Sequence, residues 1–191
     1  YCEKCKRFLP DRYVKGKCPK CGAPDQYGDN CESCGSAYKT IDLVEPFCVT
    51  CRSAPVRKMS NHYFFRLSDF AERLEKWLNE TKGIQPEIRN QVMGWVKNGL
   101  EDWNISRDGP YFGFKIPGEE NKYYYVWLDA PIGYIASTQN YCRQNSLDAE
   151  KDYWQSDDSS IIHFIGKDII YFHFLFWPAV LLEAGYNLPE N

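Results

Sequence analysis

Four Cys-x-x-Cys pairs, Cys2/Cys5, Cys18/Cys21, Cys31/Cys34 and Cys48/Cys51, fall within the first 51 residues. Of the nine cysteines in this 191-residue chain only Cys142 stands apart. Two residues between thiols let a tight turn aim both sulfurs at one tetrahedral ion. One such pair could be a redox motif, but four within fifty residues read as zinc sites in a reducing compartment, the cytoplasm. A structural site closes with four ligands, so eight thiolates imply two ions. Spacers of 12, 9 and 13 residues separate successive pairs, each long enough to close a small ribbon, so spacing leaves all three pairings open. No His or carboxylate is placed to leave an open coordination position, which argues against catalytic zinc. Lys4, Lys20, Gly22, Gly35 and Arg52 flank the pairs, small or basic neighbours that suit backbone N–H groups turned toward thiolate sulfur.

Charge narrows the partners. Residues 1–60 carry eleven Lys/Arg against seven Asp/Glu, and eight thiolates with two Zn²⁺ bring that surplus to about zero. Residues 61–191 hold twelve basic and nineteen acidic side chains. Without a basic footprint, non-specific nucleic-acid affinity is expected to be weak. The most apolar stretch, 161–182, contains His163, Lys167, Asp168 and His173, which excludes a membrane span. No signal peptide precedes Cys2, and a chain opening on Tyr1 without an initiator Met reads as a fragment.

Beyond the cysteines, Phe70, Leu74, Trp77 and Leu78 recur at helical spacing over 68–80, with Ser68 as N-cap. A second helix is predicted from Pro86 to about 98, its stripe being Ile88, Val92, Trp95 and Val96. Lys82-Gly83 joins the two as a hairpin. Residues 123–128 read as a strand, followed by a helix of a dozen residues from Pro131 that Asp129 caps or orients. Residues 160–165 read as a second strand, broken by Gly166. A helix then starts at Lys167-Asp168 and runs through Leu182, with a kink at Pro178. Repeated strand, turn and helix predict an α/β layer with ligands beyond the strand ends, near Gly166/Asp168 and near 127–131. His163 reads as structural, and Cys142 as a half-buried helical thiol.

The runs YVWLDAPIGY (125–134), HFIGKDIIYFHFLFWP (163–178), ISRDGPYFGFKIP (105–117) and CPKCGAPDQYGDNCESCG (18–35) together resemble methionyl-tRNA synthetases. The match is collinear over essentially the whole chain. The resemblance implies part of a Rossmann-type class I synthetase fold. Its connective peptide would hold a zinc-knuckle insert (1–60) and a helical part (61–104), and the second-half segment of the catalytic domain would occupy 105–191. It also implies nested zinc sites, because some members keep only the segment matching Cys18, Cys21, Cys31 and Cys34 and bind one ion. The second ion would then fall to Cys2, Cys5, Cys48 and Cys51.

The same resemblance places Trp127, Ala130, Pro131, Tyr134, Ile169, Phe172, His173 and Trp177 around the methionine side chain. A polarizable thioether suits such aromatic walls, with Tyr134 and His173 as polar contacts near sulfur. Arg107, Gly166 and Asp168 fall to ATP or the adenylate, Asp168 as acceptor for a ribose hydroxyl. The implied reaction activates methionine with ATP, with Mg²⁺ in the full enzyme, and charges tRNA(Met). The family's HIGH and KMSKS signatures do not occur in this sequence, so the chain alone is expected to be inactive. Two alternatives are a fragment of another class I synthetase for an apolar amino acid, and a zinc-ribbon binding module with an appended α/β domain.

Overall fold

The computed structural model describes residues 1–36 and 38–191. The chain divides into two compact units, Tyr1–Asn61 with Arg107–Tyr123, and His62–Ser106 with Tyr124–Asn191.

In the first unit β1 (Val14–Lys17) is the centre of an antiparallel sheet, flanked by β2 (Gln26–Tyr27) and β3 (Val44–Cys48). Lys15 pairs with Tyr27 on one side and Phe47 on the other, so these three side chains share a face. The register slips between Lys15 and Lys17, where a Cβ on Gly16 would meet the Val44 carbonyl at 2.8 Å. Its buried apolar positions are chiefly Cys2, Val14, Cys18, Cys31, Leu43, Cys48 and Ile116, four of them thiols.

The second unit has a conventional interior. β4 (Phe64–Phe65) pairs antiparallel with β5 (Trp103–Asn104), which lies beyond the hairpin of α1 (Ala71–Glu80) and α2 (Pro86–Lys97). Pro86 opens α2, where its missing N–H would have had no intrahelical partner. Leu74, Trp77, Leu78, Val92 and Val96 are buried, and Ile88 and Trp95 pack against them, as their helical spacing requires. Ser68 does not cap α1. It lies in a 3₁₀ turn, Leu67–Phe70, and its hydroxyl donates to Asp102 at 2.6 Å.

A two-stranded ribbon follows, β6 (Ser106–Asp108) with β7 (Lys122–Tyr124). The strand expected over 123–128 ends early, because Val126–Asp129 forms a helical turn, α3, closed by Ala130 N–H on the Val126 carbonyl. Apolar runs this short satisfy either period, and here the helical one prevails. α4 spans Ile132–Asn145 with no side-chain cap, so Asp129 sits at the end of α3 rather than capping its successor. Cys142 on α4 is fully buried, and burial raises its thiol pKa.

Residues 160–165 show the alternate burial of a strand, with Ile162 and Phe164 exposed. Yet the Glu190 N–H bond to the Ile161 carbonyl (2.9 Å) is one backbone link, not a ladder. The helical stretch that follows is built in three parts: a 3₁₀ turn (Lys167–Ile169), a π turn (Phe172–Phe176) and α5 (Trp177–Ala184). Pro178 cannot donate a backbone hydrogen bond, and just before it Trp177 N–H reaches back five residues to Phe172. Ile170, Phe174, Leu175 and Ala179 pack into the α1–α2 core, while Trp177 and Leu181 pack on Trp154. No helix among the described residues is long and apolar enough to cross a membrane.

Residues 189–191 lock this arrangement. Trp77 Nε1–H donates to the Pro189 carbonyl at 3.1 Å, and a Cβ on Gly83 would collide with the Glu190 carbonyl. That obstacle is backbone, so Gly83→Ala is expected to destabilise the fold by about 1–3 kcal/mol, measured as a lower denaturation midpoint. An unchanged midpoint would show that this contact is loose.

Candidate functional site

The eight thiols gather into two groups, Cys2, Cys5, Cys48 and Cys51, and Cys18, Cys21, Cys31 and Cys34. Within each, all sulfurs lie within 4.8 Å of one another. The grouping is nested. Cys2–Cys51 and Cys5–Cys48 are 3.4 and 4.0 Å apart, and Cys18–Cys34 and Cys21–Cys31 are 3.9 and 3.7 Å apart. Four thiolates at a Zn–S length of 2.3 Å would stand about 3.8 Å apart, so both groups fit a tetrahedral dication.

Each pair folds the same way. The N–H of the first cysteine bonds the carbonyl five residues on, at Arg7, Ala23, Ser36 and Ser53. The residue after the second cysteine is left-handed in every pair: Lys6 (φ 52°), Gly22 (75°), Gly35 (71°) and Arg52 (63°). Backbone N–H groups then reach sulfur, as from Cys5 to Cys2 at 3.3 Å and from Cys34 to Cys31 at 3.4 Å.

Ser53 sits 2.9 Å from Cys51 Sγ and 3.3 Å from Cys2 Sγ. That hydrogen bond, with the Cys5 N–H, lowers the Cys2 thiol to about 6. The neighbouring Cys51 thiol, then burial, push Cys5 up to about 12. Four sulfurs packed this closely cannot all ionise unless a cation shares the space.

In the second unit, α3, α4 and the π turn bring together an aromatic cluster. Trp127 stacks on Phe172 with centroids 4.3 Å apart and planes 8° apart, and its edge meets His173. Tyr134 touches both His173 and Trp177, so those two do share one helical face. His173 Nδ1 lies 3.1 Å from the Ile169 carbonyl and must carry a proton there, which leaves Nε2 to accept the Tyr134 O–H at 3.0 Å. Burial depresses the His173 pKa, against the Ile169 bond, and keeps the ring neutral. Both protons are thus spent, one within the pair and one on the Ile169 carbonyl. His173 and Trp177 are buried, at 3% and 1% exposure, while Tyr134 is 40% exposed and borders a cleft of ≈310 Å³. Pro131 is buried at the head of α4, and Ala130 is exposed.

Gly166 and Asp168 lie at the exposed start of the 3₁₀ turn, and a Cβ on Gly166 would stand 2.7 Å from Asp168 Oδ1. The glycine therefore leaves room for that carboxylate to fold back, and among the described residues the carboxylate has no hydrogen-bond partner. Arg107 is half-buried on β6, where its neighbour Asp108 takes Lys122 Nζ at 2.6 Å.

The family model described as tRNA synthetases class I (M) matches residues 1–191. The chain belongs to the methionyl-tRNA synthetase family. It is 56% identical over 193 residues to the methionine–tRNA ligase of Myxococcus xanthus, a match covering 100% of this chain and 28% of that protein. Among solved structures, apo methionyl-tRNA synthetase of Mycobacterium tuberculosis aligns with TM-score 0.60 at 32% identity, covering 77% of this chain and 29% of that one. The same enzyme in complex with methionyl-adenylate aligns with TM-score 0.61 at 29% identity, covering 86% and 30%. The chain therefore spans under a third of these relatives, and its fold class is α/β, part of the Rossmann-type class I synthetase fold with a cysteine-rich insert.

His163, expected to be structural, is so, but through partners that the sequence did not reveal. The ring is not idle on a strand: its Nε2 accepts the Trp177 indole N–H at 3.2 Å, and it packs against Tyr134 and His173. Burial, then the neighbouring His173, hold its pKa down to about 4. Fourteen residues separate His163 from Trp177, and no local period links a strand position to a helical one. His62, unplaced by sequence, has Nδ1 2.9 Å from the buried Ser106 hydroxyl.

The left-handed positions give a test. Nothing lies within 4 Å of a Cβ built on Gly35, so Gly35→Ala is penalised by conformation alone. The expected loss is about 1 kcal/mol in chemical denaturation, and no loss would mean that the turn relaxes out of the left-handed region.

Proposed function

We propose that the chain is the part of a methionine–tRNA ligase that recognises the methionine side chain and one face of the nucleotide. The observation that carries this reading is the Trp127, Phe172, Tyr134, His173 and Trp177 cluster in a chain of this family. An unbranched thioether matches walls of polarizable rings, each S···aromatic contact giving roughly 0.3–1.5 kcal/mol. With the Tyr134 and His173 protons engaged with each other and with Ile169, sulfur is recognised chiefly by ring edges and by shape. Because His173 and Trp177 are buried, the side chain enters only if a covering ring moves aside.

The Asp168 carboxylate accepts the ribose hydroxyls of ATP, with Gly166 leaving it space, and a phosphate role for Arg107 rests on the family resemblance alone. Attack of the methionine carboxylate on the α-phosphate needs alignment and charge stabilisation rather than a general base. The products are methionyl-adenylate and pyrophosphate, and the methionyl group then passes to tRNA(Met). Mg²⁺ accompanies ATP.

The two cysteine groups hold structural zinc, which closes the insert and leaves no position for chemistry. The insert helps to position the acceptor end of the tRNA. Support for this is local rather than a matter of net charge. Tyr27, Lys15 and Phe47 stand in a row on one sheet face, with Arg12 over the Tyr27 ring and Arg52 over the Phe47 ring.

Elemental analysis is expected to give two zinc ions per chain, and one after Cys18→Ser, with a lower melting temperature. Unchanged metal content in that variant would remove the inner site. In the full-length enzyme, Trp127→Ala is expected to raise KM for methionine at least tenfold with KM for ATP within twofold, while Asp168→Ala does the reverse. If neither variant separates the two substrates in this way, the pocket assignment fails.

A further inference from the structure

In His163, a member of the aromatic cluster, backbone and side chain are both fixed by long-range bonds. Its N–H donates to Asn191 Oδ1 at 2.7 Å, and its carbonyl accepts from Asn191 Nδ2 at 3.1 Å, so a single carboxamide holds both sides of the residue. Its ring is thereby set to accept from Trp177 Nε1. Trp177 is 1% exposed and lies among carbon-rich neighbours, Trp154, Leu181 and Tyr134. Acceptors are scarce in this interior: Trp154, whose ring is 6.1 Å from that of Trp177, has a buried Nε1–H with no partner among the described residues. Without His163 the Trp177 indole would face the same deficit and would have to turn to relieve it. The ring that would turn packs on Tyr134, and Tyr134 in turn holds His173.

We infer that His163 is a positioning residue for amino-acid recognition, fixing the Trp177 indole and, through Tyr134, the shape of the side-chain pocket. The inference rests on the methionine-pocket reading above. The neutral ring that it requires agrees with the depressed His163 pKa. Asn191 belongs to the same device, since it holds the backbone from which the imidazole projects. His163 needs no contact with methionine in this role.

A double-mutant cycle in the full-length enzyme tests it, read by ATP–pyrophosphate exchange at saturating ATP. His163→Phe keeps a ring but removes the acceptor, and is expected to raise KM for methionine about tenfold with kcat within twofold. His163→Gln supplies a carbonyl oxygen and is expected to recover most of that loss. In a Trp177→Phe background, which has no indole N–H to satisfy, adding His163→Phe is expected to change KM by less than twofold.

An equal effect of His163→Phe in both backgrounds would overturn the inference, because the loss would then be one of packing alone. So would failure of His163→Gln to recover methionine binding. The Trp127→Ala variant separates the two levels. If it raises KM for methionine while His163→Phe is silent, only the positioning role falls. If Trp127→Ala is silent as well, the pocket itself is misplaced.

Discussion

Convergence of eight thiols is the constraint on which the first unit depends. Remove them and its buried apolar side chains are chiefly Val14, Leu43 and Ile116, too few to offset the conformational entropy of nearly eighty residues. Among the described residues, the two apolar clusters lie in the other unit. In the insert the left-handed turn after each pair, the N–H groups aimed at sulfur and the serine beside Cys2 and Cys51 do the work that interdigitated side chains do elsewhere. With zinc in the two proposed sites, metal binding and folding of the insert would be one process.

The second unit is organised by one helical stretch with two tasks. Ile170, Phe174 and Ala179 anchor it to the α1–α2 hairpin, and His173 and Trp177 present its other side to Tyr134. Pro178 forbids a plain continuation, and the π turn before it absorbs the mismatch. An extra residue per turn at this point re-aims the side chains that follow, in the segment that carries four of the proposed pocket residues.

What could be read from sequence was whatever is local. Spacing identified the thiols that cluster, period identified both hairpin helices, and Pro86 marked the start of the second. Reading failed where a distant partner decides the outcome. Ser68 looks like a cap until Asp102, thirty-four residues on, takes its hydroxyl. Residues 126–129 look β-rich until the chain turns beside Pro131. His163 looks like a strand filler until Trp177 and Asn191 arrive from the far end of a helical excursion. The pairing of the cysteines was legible only through the resemblance, since spacer lengths alone permit three arrangements.

The nesting of the two thiol groups also sets an order of assembly. The inner group joins pairs separated by 9 residues, and the outer group joins pairs separated by 42. Loop-closure entropy alone favours closing the inner one first by roughly 1.4 kcal/mol, about tenfold in population. Once closed, it shortens the remaining span and makes the outer closure easier. The inner group also keeps Cys21 and Cys34 open to solvent, whereas Cys2 and Cys48 are sealed. An ion entering the proposed sites would therefore be captured at the inner one, with the outer following. A chelator would reach the inner site first, through the exposed Cys21 and Cys34, while the outer still clasped the two ends of the insert together.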